Sequence, residues 1–269
     1  MTLVQRIEKA ADLVARARYA VALTGAGIST PSGIPDFRSP GSGLWEKVDP
    51  MAVASIFSFR LQPQAFYNWL HPVAELMLNA QPNPAHRALV DLENMGLLKV
   101  VITQNVDNLH QKAGSSTVYE LHGHLREATC IRCRKIVPAR SLIEKFIADA
   151  QVPRCECGGV MKPNVVLFGE QLPVDVLMAA QREAEACDLM LVAGSYLEVA
   201  PASGIPLLAK RRGARIIIVN YQPTSLDPSA DVVIHEDVAV VLPEIVKLVS
   251  PWQARRAKIL DERSRALAS

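Results

Sequence analysis

Five short runs of apolar residues punctuate the chain without the apolar–polar alternation of a half-buried strand: Tyr19 to Thr24, Lys99 to Thr103, Leu189 to Ala193, Arg215 to Val219 and Asp231 to Ile234. A strand apolar on both faces must be covered on both faces, the condition of a parallel sheet between layers of helix. The segments between the runs supply those helices. Thr2 to Arg18 repeats apolar residues at helical spacing (Leu3, Val4, Ile7, Ala11, Val14, Ala15). Pro84 to Met95 stops before Gly96, Val174 to Ala186 comes later, and Ala200 to Arg212 stops at Gly213. Strand and helix alternate, so the predicted class is α/β.

The residues just after each run matter as much as the run. The first leads into Gly25-Ala26-Gly27-Ile28-Ser29, the second into Gln104-Asn105-Val106-Asp107, and the third into Gly194-Ser195. The fourth leads into Asn220-Tyr221 and the fifth into His235-Glu236-Asp237. Ligands of open α/β sheets bind beyond the carboxyl ends of the strands, and these residues suit a nucleotide there. The first turn is nevertheless no ordinary dehydrogenase fingerprint. Thr30 stands where G-x-G-x-x-G has its third glycine. No second strand ends in an acidic residue about 20 positions on; the chain instead enters a loop with Ile34-Pro35-Asp36-Phe37-Arg38. Hydride transfer is disfavoured.

Two segments break the alternation. Pro31 to Asn79 is rich in Pro, Gly, Phe and Trp before turning helical over Pro63 to Leu78, and Leu125 to Lys162 holds Cys130, Cys133, Cys155 and Cys157. Both read as parts of a smaller module inserted in the sheet domain. Cys-x-x-Cys and a later Cys-x-Cys offer four thiolates, enough for a closed, structural zinc site. The second pair is one residue tighter than usual, a turn that Gly158 and Gly159 would permit. Four thiolates on Zn²⁺ leave two negative charges, which Arg132, Arg134, Lys135 and Arg154 are placed to offset. Cys187, at the start of an apolar run, reads as core. The odd, clustered cysteines favour a reducing compartment over a disulfide framework.

Composition narrows the partners. Hydrophobic residues make up 49%, ample for a core, and 29 basic against 27 acidic residues leave +2, too little for a nucleic-acid or membrane-binding field. The longest apolar runs fall far short of the roughly 20 residues that span a bilayer. The N-terminal stretch reads as an amphipathic helix, not a leader. Trp252 to Leu267 reads as a charged, solvated helix. A cytoplasmic monomer is expected, with no specific nucleic acid and no membrane. In Leu121-His122-Gly123-His124 an imidazole neutral near pH 7 could take a proton from a sugar hydroxyl. On an extended segment the two histidines would share a face, but a third metal ligand is not evident.

The pieces GAGIS, GIPDFRS, TQNVDNLH, the Leu121-His122-Gly123 segment, the split cysteines, KPNVVLFGE, GSYLEV and the Val219-Asn220 step stand in this order from about Ala20 to Val240. In this they resemble the sirtuin family of NAD-dependent protein deacylases. Any one piece is weak; eight in order are specific. The resemblance implies a discontinuous Rossmann-like NAD-binding domain (1–35, 80–124 and 163–250), a small helical and zinc-binding module (36–79 and 125–162) and a helical tail (251–269). It further implies that NAD and an acyl-lysine meet between the two modules.

On the same resemblance Gly25, Ala26, Gly27, Ser29, Asp36 and Arg38 belong to the dinucleotide site, with Phe37 shielding ribose C1′ from water. Gln104 would hold the nicotinamide ribose, while Asn105, with a catalytic part as well, and Asp107 would line the nicotinamide pocket. Gly194, Ser195 and Asn220 would meet the adenosine half, with Val238 near adenine. His122 matches the catalytic base, which deprotonates a ribose hydroxyl so that the acyl group passes to the sugar. The products implied are free lysine, nicotinamide and 2′-O-acetyl-ADP-ribose. Zinc at the four cysteines would be structural.

Acyl-lysine is expected to lie extended between the Val166, Phe168, Gly169 and Glu170 segment and the Gly194 to Val199 segment. Tyr196 stands where family members have a small residue, so the entrance should differ in shape. Family members that remove succinyl or malonyl groups carry a Tyr followed three residues on by an Arg; here Tyr67 is followed by Leu70. A buried carboxylate without a cation costs on the order of several kcal/mol. Neutral acyl groups, acetyl above all, are therefore expected, with Tyr67 either at the acyl site or packed beside Phe66 and Trp69. Two rivals stand beside deacetylation: mono-ADP-ribosyl transfer from the same NAD site, and a zinc-ribbon adaptor binding nucleic acid, which the charge balance disfavours.

Overall fold

A computed structural model describes residues 1–251 apart from 42 and 47, so the tail helix expected from Trp252 lies outside the described residues. The chain opens with α1 (Leu3–Arg16) and β1 (Ala20–Thr24), then passes through two 3-10 turns to α2 (Pro50–Val53), α3 (Ile56–Leu61), α4 (Pro63–Asn79) and α5 (Pro84–Asn94). After β2 (Leu98–Thr103), α6 (Leu109–Ala113) and β3 (Val118–Glu120) come β4 (Gly123–Cys130), β5 (Ile136–Pro138), α7 (Arg140–Asp149) and β6 (Met161–Val165). The chain continues with α8 (Val174–Ala186), β7 (Leu189–Ala193), α9 (Ile205–Arg211), β8 (Arg215–Val219) and β9 (Val232–Ile234). Residues 238–251 are helical and are labelled α10.

Six strands pair in the order β3-β2-β1-β7-β8-β9, all parallel. The five apolar runs each became a strand of this sheet, and the reason is visible in their burial. Every residue of β1 and of β7 is buried. Val21, Leu23, Met190 and Val192 face α8 and α9, while Ala22, Leu191 and Ile217 face α1, α5 and α10. Fully burying one such aliphatic side chain stabilises by roughly 1.5–3 kcal/mol, so no polar alternation is tolerated there. Cys187 is core, 4% exposed.

The second sheet is antiparallel, order β5-β4-β6, and packs with α3, α4 and α7 around Phe59, Phe66, Tyr67, Phe146 and Met161. β3 and this sheet leave no clear pattern in the sequence, because β3 is three partly buried residues, β5 three mostly exposed ones, and β4 carries neither an apolar run nor a regular alternation. The helix expected over Ala200 to Arg212 is shorter. Pro206 has no N–H and is tolerated only in the first turn, so the helix proper starts at Ile205, after a 3-10 turn at Ala202–Gly204.

Two buried imidazoles tie α5 and α6 to the sheet. His86 and His110 lie edge to face with ring centroids 4.9 Å apart, and His110 Nε2 sits 2.9 Å from Thr24 Oγ1. Desolvation pushes His86 down to about 4; burial, helped by His86 itself, pushes His110 down to about 3. Both rings are neutral in the folded chain and gain protons in the unfolded chain below 6.5, the ordinary value. Their contribution is fully present above that pH and is lost as pH falls toward 4, at up to about 1.4 kcal/mol per pH unit for each ring. Thermal melting followed from pH 7 down to 5, before most carboxylates titrate, should therefore show a falling midpoint. A flat profile would mean that the rings are not held neutral.

Candidate active site at the strand ends

The turns after β1 and β7 touch. Gly25 N donates to Ala193 O at 3.2 Å and Gly27 N to Gly194 O at 2.9 Å. A Cβ on Gly25 would stand 2.8 Å from Gly194 O, and one on Gly27 2.9 Å from Gly194 Cα. Gly194 is left-handed, φ +62°, where a side chain is strained. Only glycines allow the two backbones to close this far, and the space they leave becomes the cleft above the sheet.

A buried polar cluster lies beside the first turn. Ser29 Oγ donates to Asp107 Oδ2 at 2.6 Å and accepts from Asn105 Nδ2 at 3.1 Å. Asn105 Nδ2 also reaches Gly25 O at 3.1 Å, and Leu109 N donates to Asp107 Oδ1 at 2.9 Å. Burial pushes the Asp107 carboxyl up, against the pull of Ser29 and Leu109. Each carboxylate oxygen keeps an acceptor site beyond these bonds. Gln104 Nε2 donates to Ser195 Oγ at 2.8 Å, linking the ends of β2 and β7.

His122 Nδ1 stands 3.0 Å from Gln104 O. A carbonyl can only accept, so Nδ1 carries the proton and Nε2 is the basic nitrogen. Burial pushes the imidazole down, with the Gln104 bond opposing, so the ring is neutral at neutral pH. His124 does not share its face. Gly123 between them is left-handed at φ +74°, and the potential ligand groups of the described residues include neither histidine.

The Asp36 turn closes one wall. Asp36 Oδ1 accepts from Arg38 N at 2.8 Å and Ser39 N at 2.7 Å, and Arg38 Nε pairs with Glu198 Oε2 at 2.9 Å. Phe37 stacks on Trp45 at 5.1 Å, and Trp45 on Trp69 at 4.9 Å.

These walls enclose a cavity of ≈ 320 Å³. Of the residues expected at the site, Gly25, Ala26, Gly27, Ser29, Asp36, Phe37, Arg38, Gln104, Asn105, Asp107 and His122 line it. So do Val166, Phe168, Gly169, Glu170, Gly194, Ser195 and Tyr196. Asn220 and Val238 line a neighbouring cavity of ≈ 360 Å³. Tyr67 is the correction. It is 3% exposed, absent from either lining, and its hydroxyl donates to Met161 O at 2.6 Å. The α4 face bearing Phe66, Trp69 and Leu70 reaches the cavity while Tyr67 turns to Phe146 and β6. Trp45, Trp69, Met77 and Leu125 also line the cavity and were not expected there; the aromatic richness of Pro31 to Asn79 gave a signal for the two tryptophans but none for Met77 or Leu125.

Part of the expected peptide cleft is already hydrogen-bonded. Phe168 N donates to Ala54 O and its carbonyl accepts from Ile56 N, each at 2.9 Å, while Val166 N donates to His122 O at 2.8 Å. Val166 to Glu170 and Gly194 to Val199 both line the cavity.

At the far end of β4 the four sulfurs of Cys130, Cys133, Cys155 and Cys157 lie within 4.8 Å of one another. Cys130 and Cys157 are 3.5 Å apart, Cys133 and Cys155 3.7 Å. Tetrahedral zinc at 2.3 Å from each sulfur sets them about 3.8 Å apart, so the donor set fits. Gly158 takes the left-handed turn at φ +79°, and a Cβ on Gly159 would stand 2.6 Å from Cys130 Sγ. These two glycines accommodate the tight Cys-x-Cys. Of the expected counter-charges, Arg132 bonds to Cys157 O at 2.9 Å, but Lys135 is drawn to Glu156 at 2.9 Å.

Residues 25–201 match the Sir2 family model, and the chain belongs to that family. The NAD-dependent protein deacetylase of Sulfolobus acidocaldarius is 47% identical over 246 residues, covering 91% of this chain and 96% of its own length. A solved chain from work on the mechanism and regulation of Sir2 enzymes superposes with TM-score 0.87 at 47% identity, over 92% of this chain and 98% of the other. A Sir2 enzyme solved with a deacetylated peptide and 3′-O-acetyl ADP ribose matches with TM-score 0.85 at 41% identity, over 90% and 97% of the two chains.

The cysteine geometry predicts one equivalent of Zn²⁺ per chain by elemental analysis. Gly159→Ala should lower that occupancy by crowding Cys130, whereas a variant that retains full zinc would show that the turn relaxes at little cost.

Proposed function

We propose that the protein removes acetyl and similar neutral acyl groups from protein lysines with NAD as co-substrate. The observation that carries this reading is the fixed tautomer of His122, whose basic Nε2 belongs to a ring lining the cavity shared with the glycine turn and the Asn105–Asp107 cluster. When bound, NAD would supply a ribose C1′ made electrophilic by its pyridinium leaving group, to which the acyl oxygen would bond as nicotinamide departs, and a 2′-hydroxyl that would take the acyl group from the lysine nitrogen; with one water consumed, the products would be free lysine, nicotinamide and 2′-O-acetyl-ADP-ribose. His122 takes the proton from that ribose hydroxyl at Nε2. Gln104, held by Ser195, orients the ribose, and Asp107 offers a spare acceptor to the nicotinamide amide. Phe37, stacked on Trp45, keeps water from C1′. Asn220 and Val238 receive the adenosine half, and the four cysteines hold a structural zinc that braces the smaller module.

Two further features fit. The cavity lining includes the apolar Ala54, Phe66, Trp69, Leu70 and Leu125, and its one Lys or Arg, Arg38, is paired with Glu198, so no unpaired cation there awaits a succinyl carboxylate. Among the described residues no helix is long and apolar enough to cross a membrane, and the clustered free thiols suit a reducing, cytoplasmic compartment. Mono-ADP-ribosyl transfer from the same site is the rival chemistry, decided by which nucleophile reaches C1′.

Acetyl-lysine and succinyl-lysine peptides offered together with NAD should yield loss of the acetyl group alone, with nicotinamide release dependent on the acetyl peptide. Preferential desuccinylation would mean that another residue supplies the cation. His122→Ala should cut turnover roughly 10²–10⁴-fold with melting unchanged; an unaffected rate would remove His122 from the mechanism. Because burial depresses the His122 pKa, the acid limb of kcat/KM for the peptide should fall with an apparent pKa below the ordinary 6.5. A limb above that value would contradict the neutral, desolvated imidazole.

A further inference from the structure

Two cavities meet above the carboxyl ends of β1 and β7, and six residues line both: Gly27, Ile34, Pro35, Asp36, Gly194 and Tyr196. With NAD as the co-substrate, one cavity takes the nicotinamide half of the dinucleotide and the other the adenosine half, so the pyrophosphate must cross this seam. Tyr196 is the one aromatic residue of the six, at a position where the family resemblance leads one to expect a small side chain.

Its hydroxyl lies 3.2 Å from Ser39 Oγ. Ser39 has one hydroxyl hydrogen, and that hydrogen is given to Asp36 Oδ2. Tyr196 must therefore be the donor, and a directed chain runs from Tyr196 to Ser39 to the Asp36 carboxylate. Asp36, only 6% exposed, also gathers the backbone N–H groups of Arg38 and Ser39. Two residues beyond Tyr196, Glu198 pairs with Arg38 across the same gap. The Asp36–Ser39 turn is thus fastened twice to the segment after β7. The Arg38–Glu198 pair is half exposed and screened by solvent, so it holds less than its geometry suggests.

We propose that Tyr196 is a positioning residue for the dinucleotide. Through Ser39 it holds the Asp36–Ser39 turn across the seam, so that the pyrophosphate meets a wall already formed instead of ordering one on arrival. Pre-organisation of this kind improves binding by removing the ordering cost. The inference rests on the NAD reading and concerns how NAD, not the acyl peptide, is held.

Calorimetric titration of NAD into the wild type, Tyr196→Phe, Ser39→Ala and the double variant tests it. Tyr196→Phe keeps the ring and loses the donor. The expected result is a two- to tenfold rise in the NAD dissociation constant, roughly the range of one neutral hydrogen bond. The double variant should bind no more weakly than Ser39→Ala alone, because both substitutions break the same chain. In steady state the KM for NAD should rise while the KM for acetyl peptide and the melting temperature stay put, a split that a general loss of structure would not produce. Wild-type NAD affinity in Tyr196→Phe, or losses that multiply in the double variant, would overturn the proposal. So would a raised peptide KM with NAD binding intact, which would place Tyr196 at the peptide entrance. Failure of the wild-type chain to bind NAD is a different outcome: it would remove the dinucleotide reading itself, and this inference with it.

Discussion

The contact between the turn after β1 and the turn after β7 is the constraint on which the site depends. Gly25 and Gly27 lie against Gly194 and Ser195 with no room for a side chain between them. The two strands are neighbours in the sheet, paired from Ala20↔Leu189 to Thr24↔Ala193, so both turns leave the sheet side by side. Their glycines let them stay close while the loops beyond, 26–39 and 195–199, diverge to form the walls. The parallel sheet delivers the polar residues to one edge, and the glycine contact converts that edge into a cleft.

The smaller module is coupled to this cleft through β4. His122 precedes the strand, and Cys130, one of the four clustered thiols, ends it. β4 pairs with β6, which leads directly into the Val166 to Glu170 segment lining the cavity. A thiolate cluster held together by metal would fix the far end of a strand whose near end carries the imidazole. A four-thiolate site has no open position for a substrate, so such a cluster would act only through where it sets His122 and the Val166 to Glu170 segment. At the near end, His122 itself is held from the sheet side by Gln104, so both modules contribute to its position.

The sequence was most informative where one physical requirement dominates. Strands buried on both faces cannot hide their apolarity, and all five runs became strands of the main sheet. Residues after those strands are confined by backbone geometry and polar chemistry, and nearly all of those expected at the site line one of the two cavities. Legibility fails where the partner is remote in sequence. Tyr67 and Leu70 lie one turn apart on α4, but only packing against Phe146 and Met161 decides that the tyrosine turns inward while Leu70 reaches the cavity. The stack of Phe37, Trp45 and Trp69 joins a loop to a helix, and no periodicity announces it. The His86–His110 pair was likewise invisible, because its meaning lies in mutual burial and not in spacing.

The arrangement of His122, the glycine turn and the Asn105–Asp107 cluster has one chemical consequence that separates it from ordinary amide hydrolysis. The acyl group should pass to the dinucleotide ribose, not to water. Mass spectrometry of the products formed from NAD and an acetyl-lysine peptide reads this directly. Equal amounts of nicotinamide, deacetylated peptide and O-acetyl-ADP-ribose are the predicted result. Free acetate as the primary product, with NAD left intact, would contradict it.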